Sequence, residues 1–391
     1  MARIALVTLV IGALIASRAL CAEAVFRPPV VRIGSPSTVA TPGAGGGNFV
    51  ERLGDGSLLT NVKPDGKSTL LYLSGDDGQT WKARATYQRG AIPLYPIALR
   101  DGTILGFEVF PNKQVAGQQT GLYKSWRGHD TLTTLQQTTS HIDVPEAVSG
   151  TGDAIDWDNP IEGMVFYSPN VVEFSDGRLL ATMYGWLGSR LVPMTDLAYI
   201  AGARKLKTRV PNQYCSIVIE SSDRGKTWKH LSTISQEVKP VDPVGNPIGT
   251  EGPCEPTMAY THDGDLIAIM RTGRRAPMFQ ARSTNEGRSW QKAQQMDVYG
   301  VAPNLMTMQN GTLACAYGTK NDWRRPREIH VMFSFDGGRT WPVNTLVYKG
   351  GNVGSYPGLC ELRPGVLLVS YAPHPAAGIP RQVTTVTLVL E

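Results

Sequence analysis

The chain has 391 residues, a formal net charge of +5 and 18% charged side chains, without the dense Lys/Arg blocks of a nucleic-acid binder. Its 42 glycines and 27 prolines punctuate short β-branched runs, and no long amphipathic helical pattern occurs. These features exclude a helical bundle and point to many strands joined by tight turns.

At the N-terminus Arg3 precedes an apolar stretch from Ile4 to Ala16, and Ala22-Glu23-Ala24 follows as a cleavage site. The pattern predicts a secretory signal peptide over 1–24, an exported product (secreted or periplasmic), and one domain over 25–391. The apolar run is too short to span a bilayer and nothing later approaches eighteen apolar residues, so no membrane span is expected. Arg18-Ala19-Leu20 ahead of Cys21 is a poor lipid-anchor signal.

Beyond residue 25, hairpins of the form apolar strand, polar-Gly turn, apolar strand centre on Asp55-Gly56, Asp101-Gly102, Asp176-Gly177, Asp263-Gly264, Asn310-Gly311 and Pro364-Gly365. Between them run four copies of one pattern, at Ser74 to Trp81, Ser221 to Trp228, Ser283 to Trp290 and Ser334 to Trp341. The spacing predicts a turn in which an Asp or Asn side chain bonds backbone amides, Gly takes a positive φ and the Trp packs inward. Six hairpins imply an all-β, six-bladed β-propeller with four antiparallel strands per blade. The strand that joins the chain ends is expected from Val30 to Ile33 or from Thr384 to Leu390. The stretches from Lys113 to Glu162 and from Leu187 to Asn212 read as long insertions that shape a binding face.

Residues equidistant from an antiparallel turn lie opposite one another. Glu255, eight residues before Asp263, therefore shares one end of its blade with Arg271. The same offset at the other turns gives Gly47, Pro93, Ser168, Ala302 and Tyr356, of which only Tyr356 is ionisable. Lys63, Glu108, Tyr184, Trp186, Lys320 and Asn321 come from the returning strands, with Lys63 expected opposite Gly47. Such a polar, aromatic-edged mouth suits a glycan, and the mild positive charge suits an acidic one. Cys215, Cys254, Cys315 and Cys360 fit neither a CxxC zinc site nor a dense disulfide framework and read as buried thiols. No HxH or HExxH pair occurs around His141 or the other histidines, so neither metal nor cofactor is implied. A monomer is expected.

The four repeated turns resemble Asp boxes, and the segments Cys254 to Arg271 and Ser355 to Gly365 resemble the Glu-to-Arg and Tyr-bearing hairpins of sialidases. That resemblance implies Tyr356 as nucleophile, Glu255 as its base, Asp65 as general acid, and Arg271 with Arg327 or Arg325 as ligands of a substrate carboxylate. A neutral phenol attacks an anomeric centre beside a carboxylate without the repulsion felt by an anionic nucleophile. The sequence departs from the family at Gly46, where an Arg is usual; Lys63, or Arg27 of Phe26-Arg27-Pro28, supplies alternative charge. Asp156 and Asp158 rival Asp65, which sits in a Pro-Asp-Gly turn signature. The resemblance implies an exo-acting glycoside hydrolase on a terminal, acidic sugar such as sialic acid. The alternatives are a polysaccharide lyase with Tyr356 as base and Arg271 with Lys63 on a uronate, or a non-catalytic glycan-binding propeller.

Overall fold

The computed structural model describes residues 28–40, 45–46, 49–63, 68–88, 95–107, 121–147, 164–166, 171–195, 212–273, 275–319, 327–350, 352–374 and 382–391. The predicted signal segment lies outside them. Every regular element among the described residues is a strand, and the strands form curled, antiparallel meanders laid side by side, an all-β fold.

The local cause is the turn chemistry. Gly56, Gly102, Gly177, Gly264, Gly311 and Gly365 all sit at φ between 78° and 87°, a left-handed backbone that a side chain would strain. Asp55, Asp101, Asp176 and Asn310 each accept a hydrogen bond from the amide two residues on, at 2.9–3.0 Å, the Asx turn that starts the returning strand. Each expected hairpin is present. Cys254–Tyr260 pairs with Leu266–Arg271, for example, and Val301–Thr307 with Leu313–Gly318.

The four Ser-to-Trp turns are stapled alike. In the first, Ser74 Oγ donates to Asp76 Oδ1 (2.8 Å) and accepts from Gly78 N (2.8 Å), while Asp76 accepts from Thr80 N (2.8 Å) and Thr80 Oγ1 (2.5 Å). The Thr80 bonds hold the Asp76 carboxyl down at about 2. The same network recurs at Ser221, Ser283 and Ser334.

Two expectations need correction. Residues 113–162 are not one long insertion: Gly121–His129 and Thr131–Asp143 form an antiparallel hairpin, and the second of these pairs in parallel with Thr227–Ser235, fusing two meanders into one nine-stranded sheet. Thr131–Asp143 is largely solvent-facing and rich in Thr and Gln, with Leu132, Leu135 and Ile142 at irregular spacing, so it carries no regular apolar alternation. The closing strand does not come from one end or the other. Val383–Leu390 is a third strand, and both Val31–Ile33 and Ser37–Ala40 add to its far edge, which ties the two ends of the chain into one sheet.

Inner strands are stitched to their neighbours by buried polar contacts. Thr182 Oγ1 donates to Pro256 O (2.9 Å), Leu305 N to Thr257 Oγ1 (3.0 Å), and Asn304 Nδ2 to Pro357 O (3.2 Å). Gly358 then packs directly on Phe49, where a Cβ would lie 2.5 Å from the Phe49 Cα. Register fixes the two ends of each sheet. Ser283 pairs with Leu266 beside the Gly264 turn, whereas Arg271 pairs with Cys254. The stapled turns thus sit at one end and Arg271 at the other.

Candidate functional site

At the Arg271 end the inner strands share an irregularity. Pairing slips between Cys254 and Thr257, between Val301 and Asn304, and between Gly354 and Gly358. Glu255 and Ala302 occupy these bulges at φ 47° and 51°, a conformation costing on the order of 1–3 kcal/mol for a non-glycine residue. Bulges re-aim side chains. Here the left-handed Ala302 points its amide at Glu255 Oε2 (2.9 Å), so each strained residue is held by the other.

Glu255, only 4% exposed, is the hub. Its Oε1 accepts from Arg271 Nη1 (2.9 Å) and from the Tyr356 hydroxyl (3.2 Å). The charge of Glu255, and then burial, push the Tyr356 phenol well above its ordinary range, so it is neutral and donates its proton toward that carboxylate. The structure therefore brings together three of the residues singled out from sequence: Glu255, Arg271 and Tyr356.

A fourth was missed. Glu251, only 2% exposed, accepts from Arg271 Nη2 at 2.7 Å. Its backbone is fixed on both sides, with Glu251 N donating to Thr272 O (2.8 Å) and Tyr214 N donating to Glu251 O (2.9 Å). Gly252 follows at φ 88°, where a Cβ would meet Tyr214 N at 2.6 Å. Glu251 precedes the paired part of its strand, so counting from the hairpin turn cannot reach it; the Glu-Gly-Pro run was the available signal. With Glu251 and Glu255 on opposite nitrogens, one guanidinium is balanced by two carboxylates, which hold its proton tightly despite the burial that opposes charge.

Aromatic side chains wall the cluster. Trp186 stacks on Tyr214 (4.8 Å between centroids) and Tyr184 meets Tyr214 edge-on at 5.2 Å. Burial, then the nearby Glu255 charge, raise the Tyr184 phenol well above its usual value. Burial does the same to the Cys254 thiol, an environment that keeps a thiol inert. Cys215, Cys254, Cys315 and Cys360 are buried and free.

The remaining predicted residues divide by position. Lys63 ends the strand Leu58–Lys63 and faces Gly45 rather than Gly47, with Gly46 opposite Val62. The difference is a two-residue slip relative to the Glu51 and Leu59 pairing nearer the turn, which turn counting misses. Arg327 begins the strand Arg327–Ser334, beyond the Gly318 and Ile329 pair and so at the same end as the cluster. The side chains of Lys63 and Arg327, and all of Asp65, Arg325, Arg27, Gly47, Asp156 and Asp158, lie outside the described residues. Among the described residues no group of three His, Cys, Asp or Glu could hold a metal ion.

The family described as BNR repeat-like domain matches residues 124–369 of the chain. No curated protein sequence matches it. A protein of unknown function from Dyadobacter fermentans aligns over 92% of this chain and 99% of its own with TM-score 0.66 and 17% identity. A Hadza microbial sialidase aligns with TM-score 0.57 and 16% identity, over 86% of this chain and 64% of its own. The α-L-arabinofuranosidase of Fusarium graminearum, bound to arabinobiose, aligns with TM-score 0.55 and 11% identity over 92% and 98%. At these identities the likeness is one of fold.

Proposed function

We propose, from the premise that this chain belongs to the BNR repeat-like domain family of the sialidase superfamily, that it is an exported, exo-acting glycoside hydrolase. Its meanders stand as six blades about one channel, and the reacting centre is the mouth where Glu255, Arg271 and Tyr356 meet. One observation carries the reading: the neutral Tyr356 hydroxyl lies 3.2 Å from Glu255 Oε1, and Arg271 fixes that same oxygen at 2.9 Å. A phenol becomes a usable nucleophile when a base in contact takes its proton during attack.

In this mechanism Tyr356 Oη attacks the anomeric carbon while its proton passes to Glu255. The glycosidic C–O bond breaks, and the leaving oxygen takes a proton from the general acid, a role assigned to Asp65. Water then displaces the tyrosyl oxygen from the anomeric carbon. Glu255 returns the proton to Tyr356, and the general acid, now a base, accepts the proton of the water. Arg271 keeps Glu255 oriented throughout. A lyase would need Tyr356 as a free phenolate to take the carbon-bound proton, and the charge of Glu255 beside it opposes that form.

Two substrate readings follow. A terminal acidic sugar fits the resemblance, with Arg271, Arg327 or Arg325, and Lys63 about its carboxylate. A terminal neutral sugar is favoured by a specific observation: both terminal nitrogens of Arg271 are already engaged by carboxylates, which leaves it poorly placed to clamp a third. Nitrophenol release from an aryl α-sialoside and an aryl α-L-arabinofuranoside separates the two. With whichever is turned over, Tyr356→Phe is expected to cost several powers of ten in rate with the fold retained. Unchanged turnover would end the nucleophile assignment.

A further inference from the structure

Along the outer edge of the molecule, away from the inner strands that carry Glu255, a groove of about 520 Å³ runs between the outer strands Phe279–Ser283 and Gln294–Gln295 of one sheet and the Gly338 to Trp341 turn of the next. We propose that this groove is a second, non-catalytic carbohydrate site that takes a stretch of a neutral oligosaccharide. Its volume is in the range of small-molecule sites. The side chains that argue for it are Trp341, Gln280, Gln291, Gln294, Lys292 and Asn344.

The four repeated turns make Trp341 informative. Trp81 and Trp228 donate from Nε1 to the carbonyl of their own turn glycine, at 3.1 Å each, and Trp228 is fully buried. Trp290 and Trp341 instead cross to a neighbouring sheet, Trp290 donating to Ser232 Oγ at 3.1 Å and Trp341 to Gln280 Oε1 at 2.9 Å; only at Trp341 is the contact returned, with Gln280 Nε2 donating to Gly338 O at 2.7 Å. This reciprocal clasp fixes the indole half-exposed in the groove wall. A fixed aromatic face attracts the weakly positive C–H face of a sugar ring, and its orientation is set before the ligand arrives.

The rest of the groove matches the sugar's edges. Gln291, Gln294 and Asn344 are exposed; Gln294 Nε2 and Asn344 Nδ2 are oriented by bonds to Lys292 O (3.0 Å) and the Tyr317 hydroxyl (2.7 Å), which leaves their amide oxygens turned to accept from sugar hydroxyls. The arginines of the groove are already satisfied: Arg282 pairs with Asp265 (2.6 Å) and Arg339 with Asp263 (3.0 Å). Lys292 and Asp297 both line the groove and offset one another in net charge. The balance favours a neutral chain over an anionic one.

Isothermal titration calorimetry of the full chain with cellohexaose, xylohexaose, mannohexaose and α-1,5-arabinohexaose tests the proposal. At least one should bind, Trp341→Ala should weaken it by about tenfold or more, and the exposed pair Gln291→Ala with Gln294→Ala should weaken it severalfold. Turnover of any small aryl glycoside should be unchanged in both variants, since neither touches the Glu255 end. The amide pair, which leaves the core intact, decides the matter if Trp341→Ala fails to fold. Absence of binding by all four hexasaccharides, or wild-type affinity in the amide pair, overturns the site. A hexasaccharide that also enters the mouth is titrated against Tyr356→Phe, which removes turnover there; loss of binding on changing Trp341 or the amide pair reports the groove alone, so failure of one reading is distinguishable from failure of the other.

Discussion

Replacing Arg271 by methionine keeps an unbranched apolar stem and removes the cation between two buried carboxylates. Glu251 and Glu255 lose contacts of 2.7 and 2.9 Å, and breaking a buried ion pair in this way typically costs about 3–5 kcal/mol. The cost depends on pH. Glu255 keeps the donors Ala302 N and Tyr356 OH, so the proton that relieves the repulsion is expected on Glu251, raising its carboxyl above the unfolded value near 4. A carboxyl raised in the folded state contributes stability that is present below the unfolded pKa and lost as pH rises toward the folded one. The gap between wild type and Arg271→Met should therefore widen between pH 5 and 8, at a limit of roughly 1.4 kcal/mol per pH unit. Denaturant unfolding at pH 5, 6.5 and 8 measures it. Adding Glu251→Gln to Arg271→Met should remove most of the pH-dependent part. A gap that is flat with pH, or a double variant as unstable at pH 8 as the single, would refute the two-carboxylate account.

Glu51, held up to about 8 by burial despite a hydrogen bond from Ala98 N (3.0 Å), works in the same direction. The stability it allows below about 4.5 is lost as pH rises through 8, so Glu51→Gln, whose amide oxygen still accepts from Ala98, should stabilise the protein by up to about 4–5 kcal/mol at pH 9 and by only about 1 kcal/mol at pH 5, as read by unfolding at the two values. Gly358→Ala drives a methyl group to 2.5 Å from the Phe49 Cα and should cost about 1–3 kcal/mol; an unchanged unfolding midpoint would mean that the last and first sheets are not in register there. Ser334→Ala removes the acceptor of Gly338 N, leaves a buried amide unpaired and should cost about 1–3 kcal/mol without altering turnover. Burial pushes the Cys215 and Cys360 thiols up to about 12, so neither should react with a thiol-disulfide reagent until denaturant is added; labelling of either by mass spectrometry under native conditions would contradict the packing.

What could be read from the sequence was local in origin. A glycine forced to positive φ, an Asx turn and a Ser-to-Trp staple each act within about eight residues, and they leave the same signature wherever they occur: Gly56, Gly264 and Gly365. Counting outward from those turns also reaches Glu255, Arg271 and Tyr356, because an antiparallel ladder preserves distance from its turn. The count fails where the ladder does. The slip before Glu51 moves Lys63 from Gly47 to Gly45, and no residue type in Gly45 to Asn48 announces it. Thr131–Asp143 is silent in the sequence for a different reason: a largely solvent-facing strand has no regular apolar alternation to display. Glu251 shows the deeper limit. Its partner Arg271 is twenty residues away, and the contact rests on an aligned approach set by Tyr214 N and Thr272 O. The charge balance at Arg271, on which the choice between an acidic and a neutral sugar turns, therefore belongs to three separate segments at once. It becomes visible only when Glu251, Glu255 and Arg271 are seen in one place.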